Sequence, residues 1–108
     1  MIASLFGLLA LTAAQQATIK AYFDADLLDG ASARWKWPAL SKEKPGIYCG
    51  WVNAKNRMGA YTGWQPFYVS FDGPKIKSGR LYANGEHGVI LEAFCKSGGY
   101  DYTTPPRD

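Results

Sequence analysis

The stretch Cys49-Gly50-Trp51-Val52-Asn53-Ala54-Lys55-Asn56-Arg57-Met58-Gly59-Ala60-Tyr61-Thr62-Gly63-Trp64-Gln65-Pro66-Phe67 decides how this chain folds. Residues 47–53 carry Ile47, Cys49 and Trp51 on one side and Tyr48 and Val52 on the other, which predicts a central strand apolar on both faces. Residues 54–63 form a Gly-containing connection to which Lys55 and Arg57 add positive charge. Residues 65–72 alternate again, with Phe67, Val69 and Phe71 on one face. A short connection of this type implies antiparallel pairing, because parallel strands need a long crossover.

Working outward, Asp72-Gly73-Pro74 is a turn, and residues 75–83 read as a weaker strand before a second turn at Asn84-Gly85. Upstream, residues 32–37 place Ala33, Trp35 and Trp37 on one side and Ser32, Arg34 and Lys36 on the other. They predict a half-buried strand that Pro38 ends. Residues 41–46 are a loop. Residues 17–28 present Ile19, Tyr22, Phe23 and Leu27 at helical spacing, with Thr18 placed to cap the start and Gly30 to end the helix. Asp24, Asp26 and Asp29 spread around that helix and read as a solvated face rather than a metal cluster.

Residues 86–97 fit two templates. Val89, Leu91, Ala93 and Cys95 alternate as in a strand, whereas Val89, Ile90, Ala93 and Phe94 form a helical stripe. The Glu92–Lys96 pair and Ser97-Gly98-Gly99 favour a helix. Residues 100–108, with Pro105-Pro106, read as a loose tail. The expected fold class is α+β: an N-terminal helix packed on a three- to four-stranded antiparallel sheet, with a C-terminal helix.

The 108 residues carry a net charge of +3 and are 15% aromatic, a composition that excludes a disordered chain. Residues 1–17 are uncharged, with the apolar run Leu5-Phe6-Gly7-Leu8-Leu9-Ala10-Leu11 followed by small residues. They read as a secretory signal peptide, too short for a membrane span. The alternatives are an uncleaved anchor and a buried N-terminal helix. The expected organisation is therefore a signal peptide over 1–17, one domain over 18–99 and a tail over 100–108, with no stable membrane span after cleavage. Export places the protein in a periplasmic or secreted, oxidising setting, where Cys49 and Cys95 are candidates for one disulfide. Such a bond stabilises by about 4 kcal/mol in the chain-entropy model. Two free buried thiols are the alternative.

The segment over 49–67 resembles a pattern of small uncharacterised exported bacterial proteins, C-G-x-V-N-x-K-N-x-x-G-x-Y-x-G-x-x-x-F. Cys49, Gly50, Val52, Asn53, Lys55, Asn56, Gly59, Tyr61, Gly63 and Phe67 match it position by position. The resemblance extends over roughly residues 18–71. After Asp29, Gly30-Ala31 stands where the pattern more usually has Pro-Asp or Pro-Glu. The resemblance implies an exported bacterial origin and a shared fold, and it implies no substrate.

The same segment has two readings. As scaffold, Asn53 and Asn56 hydrogen-bond backbone while Tyr61, Trp64 and Phe67 pack on the sheet. As a binding loop, Lys55, Asn56, Arg57, Tyr61 and Trp64 are the candidate binding residues: the amide bonds a ligand, the cations attract anions and the rings stack on sugar or peptide. Catalysis has little support. His87 is the sole histidine and sits between glycines, no nucleophile elbow is present, and one His with two distant Cys cannot build a zinc site. The sequence calls for no cofactor. The basic residues are scattered singly, which argues against nucleic-acid binding. The expected role is a non-enzymatic binding or structural one at the cell envelope, with an unassigned glycan or protein partner. The alternatives are a proteinaceous inhibitor of a secreted or phage hydrolase and a small enzyme with an unrecognised site.

Overall fold

The computed structural model describes residues 10–82 and 91–107. Helix α1 spans Ala13–Phe23 and is opened by a capping box. The Thr12 hydroxyl accepts the Gln15 amide at 3.1 Å, and the Gln15 side-chain oxygen accepts the Thr12 amide at 2.9 Å. The helix therefore starts earlier than its apolar stripe predicts, and residues 13–17 of the expected leader lie in it. Thr18, the expected cap, sits inside the helix and donates its hydroxyl to the Ala14 carbonyl at 3.0 Å. The helix also ends earlier, at Phe23, and 3-10 turns over Asp24–Asp26 and Gly30–Ser32 carry the chain to the sheet.

The sheet has four antiparallel strands in sequence order. They are β1 (Arg34–Lys36), β2 (Ile47–Lys55), β3 (Tyr61–Asp72) and β4 (Lys75–Leu81). The class and the helix-on-sheet arrangement agree with the sequence reading. The third predicted strand is longer than expected: β3 begins at Tyr61 rather than at residue 65. In register, Arg34 faces Asn53 and Lys36 faces Trp51, while Cys49 faces Tyr68 and Asn53 faces Trp64. Gly50 is where the sheet admits no side chain. A Cβ there would lie 2.8 Å from the tip of the Phe67 ring and 3.0 Å from the Lys36 carbonyl oxygen.

Alternation along β2 and β3 builds two cores on opposite faces. Tyr48, Val52, Phe67 and Val69 meet Leu11, Ile19 and Phe23 on the helix side. Phe23 and Phe67 have ring centroids 5.3 Å apart. Trp35 and Trp37 stack on each other with planes 1° apart and turn edges to Phe67. On the other side Cys49 and Tyr68 pack with Tyr82, Leu91 and Cys95. The Cys49–Cys95 disulfide is formed, with the two Cα atoms 5.8 Å apart, and it ties this second core to β2.

The expected C-terminal helix is corrected to one π-helical turn over Glu92–Lys96. Cys95 is held against the sheet, and its carbonyl accepts the Tyr100 amide at 2.8 Å, which closes the turn before a longer helix develops. The turn expected at Asn84-Gly85, the start of the expected helix and His87 lie outside the described residues. The expected loose tail begins as a packed segment. The Tyr100 hydroxyl accepts the Ser41 amide at 2.9 Å and donates to the Ile47 carbonyl at 3.3 Å. Among the described residues no helix is long and apolar enough to cross a membrane.

Candidate functional site

The β2–β3 turn is built by Asn56. Its side-chain oxygen accepts the amides of Met58 at 2.9 Å and Ala60 at 3.1 Å, and its own amide donates to the Ala60 carbonyl at 2.8 Å. Gly59 completes the turn at φ +80°, a conformation that side chains disfavour. Asn56 is thus occupied in shaping the loop. The turn holds Arg57 and Met58 out into solvent, and Met58 is 91% exposed.

Below the turn the strands depart from regular pairing between Asn53 and Lys55. Asn53 is only 4% exposed, and its side-chain oxygen accepts the Gly63 amide at 3.0 Å. This bond replaces a ladder interaction where the register shifts.

Tyr61 is half-buried rather than presented to a ligand. Its hydroxyl donates to the Ser32 carbonyl at 2.9 Å, which ties the hairpin to the segment before β1. The Arg34 guanidinium lies over its ring at 4.0 Å from the centroid, and the Lys55 ammonium lies 5.5 Å from the same centroid. Trp64 is buried, at 9% exposure, with the Lys36 ammonium 5.8 Å from its ring centre. A ring's π face attracts a cation by about 0.5–1 kcal/mol at an exposed site. Both aromatics therefore serve as seats for cations, and Trp64 offers no open face for stacking on a sugar.

Of the five predicted binding residues, Arg57 is exposed on the turn, and Lys55 is half-buried at the end of β2 with its ammonium over the Tyr61 ring. The structure adds Arg34 and Lys36, which sequence reading placed only on the outward side of a strand. Alternation around Trp35 gives that side. Their closeness to Tyr61 and Trp64 comes from β1 pairing with β2, and no local pattern encodes that pairing. Arg34, Lys36, Lys55 and Arg57 form no salt bridge among the described residues. Beside them runs a surface groove of about 400 Å³ lined by Leu28, Asp29, Lys55, Asn56, Arg57 and Gly59.

Asp24, Asp26 and Asp29 are exposed, in keeping with a solvated face. Among the described residues no three of His, Cys, Asp and Glu stand close enough to share a metal ion. No family model matches the chain, and neither the curated proteins nor the solved structures contain a significant match to it.

Proposed function

We propose that this chain is a small exported domain that acts at the cell envelope by binding an anionic component, without catalysing a reaction. One observation carries this reading: Arg34, Lys36, Lys55 and Arg57 gather at one end of the sheet with no salt-bridge partner among the described residues. Cations that are not neutralised within the fold keep their field for an external anion. The three that lie over rings are held in place without losing charge. The leader-like residues 1–17 and the Cys49–Cys95 disulfide support an exported, oxidising setting.

The test is co-sedimentation of the oxidised protein with isolated envelope fractions at low and high salt. The expected result is retention at low salt that high salt releases, because screening removes exposed electrostatic attraction. Lys36→Glu/Arg57→Glu reverses two exposed charges and is expected to abolish retention while leaving the circular dichroism spectrum unchanged. Equal retention of this variant and the parent protein overturns the proposal.

A further inference from the structure

Met58 and Leu28 are the two most exposed large apolar residues among those described, at 91% and 65%. They are far apart in sequence, but the groove that Leu28 lines runs along the turn that carries Met58. Leu28 lines the same groove as Lys55, Arg57 and Gly59, and Met58 sits between the last two on the turn. Two exposed apolar side chains, one on the turn and one on the groove beside it, therefore flank the cations Lys55 and Arg57, and Arg34 lies over the Tyr61 ring of the same hairpin. Asp29 is the one acid in the groove lining.

At 91% exposure the Met58 side chain gains nothing from burial within the fold, so its apolar area is available to an external apolar phase. An anionic bilayer answers both halves of the pattern. Its headgroups attract the cations, and its acyl boundary accepts the aliphatic tip. A glycan answers only the first half. Sugar recognition favours flat exposed rings, and here Trp64 is buried and the Tyr61 hydroxyl is tied to Ser32.

We infer that the β2–β3 turn docks on an anionic phospholipid surface, with Met58 and Leu28 entering the headgroup–acyl boundary and Arg34, Lys55 and Arg57 pairing with lipid phosphates. The inference rests on the envelope-binding reading and names its partner.

The test compares the oxidised full chain on phosphatidylcholine vesicles, on vesicles containing phosphatidylglycerol, and with dextran sulfate as a soluble polyanion. The expected result is binding to the phosphatidylglycerol vesicles and not to phosphatidylcholine alone. Leu28→Ser/Met58→Ser is expected to weaken vesicle binding by roughly tenfold or more, through loss of apolar burial, and to leave dextran sulfate binding unchanged. Both positions are exposed, so the variant keeps the fold, which circular dichroism checks. Undiminished vesicle binding by the variant overturns the inference. Binding to dextran sulfate without binding to vesicles also overturns it, while the broader anion-binding reading stands. Binding to neither polyanion overturns both.

Discussion

The rings of Tyr48 and Tyr100 meet edge to face, with centroids 5.7 Å apart and planes at 75°. Their hydroxyls diverge to separate backbone partners. Tyr48 donates to the Pro38 carbonyl at 2.6 Å, and Tyr100 bridges Ser41 and Ile47. The pair fastens the segment after β1 and the start of the tail to the same end of β2.

This arrangement sets an alkaline limit on stability. Burial pushes both hydroxyls above the ordinary tyrosine value of 10.0, and for Tyr48 the neighbouring Tyr100 adds to the rise, while for Tyr100 the Ser41 amide opposes it. A raised folded pKa means that the native state holds its protons longer than the unfolded chain. The stability is therefore fully present below pH 10.0 and is lost as pH climbs from there towards the folded values. The slope reaches about 1.4 kcal/mol per pH unit for each tyrosine. Urea unfolding across that range is expected to show this decline, and Tyr48→Phe is expected to make it shallower. An identical alkaline profile for Tyr48→Phe would show that this hydroxyl does not set the limit.

The disulfide is expected to carry a substantial share of the stability of so small a domain. Cys49→Ala/Cys95→Ala should lower the unfolding free energy by about 2–4 kcal/mol, measured by urea denaturation. Mass spectrometry of the oxidised parent protein should find two protons fewer than after reduction, and no reactive thiol.

The β2–β3 turn depends on one side chain and one backbone angle. Asn56→Ala leaves the Met58 and Ala60 amides without their acceptor and is expected to cost about 1–2 kcal/mol. Asn56→Asp keeps an acceptor oxygen and is expected to cost less. Gly59→Ala forces a Cβ onto a residue at φ +80° and is expected to cost about 1 kcal/mol. Thermal denaturation ranks the three. A neutral Asn56→Ala would mean that the turn forms without this side chain.

The start of α1 makes leader processing measurable through stability. In the full chain, Thr12→Ala removes the capping box and is expected to cost about 1 kcal/mol. Leu11→Ala removes a buried side chain from the helix-side core and is expected to cost about 2 kcal/mol or more. In protein cleaved after residue 17 neither substitution survives, and the two variants and the parent should unfold at the same urea concentration. N-terminal sequencing alongside the unfolding curves identifies which chain is present.

The sequence reading and the structure part company at identifiable residues. Phe67, Val69 and Phe71 announce β3, but Gly63 interrupts its pattern, so its first three residues read as connection. The strand continues through Gly63, whose amide donates to the Asn53 side-chain oxygen on the neighbouring strand. Among the described residues the expected C-terminal helix is a single π turn, for a related reason. The Glu92–Lys96 spacing is locally helical, but Cys95 is fixed to β2 by a bond that no local propensity registers. The candidate site was half legible. Lys55 and Arg57 could be found from their loop, whereas Arg34, Lys36 and Leu28 join them only through strand pairing and the path of the 3-10 turns. Tyr61 and Trp64 are conspicuous in the sequence because they are aromatic, and their work is to seat cations within the fold.

The two faces of β2 give the Cys49–Cys95 bond one more consequence. Cys49 lies between Tyr48, which belongs to the helix-side core, and Gly50, where no side chain fits. A slip of β2 by a single residue would exchange the faces of all its side chains and carry the Cys49 sulfur away from Cys95. Once closed in the folded sheet, the bridge therefore opposes such a slip: Cys49 must stay on the face that carries Tyr68 and Cys95, and the register of the central strand is held with it.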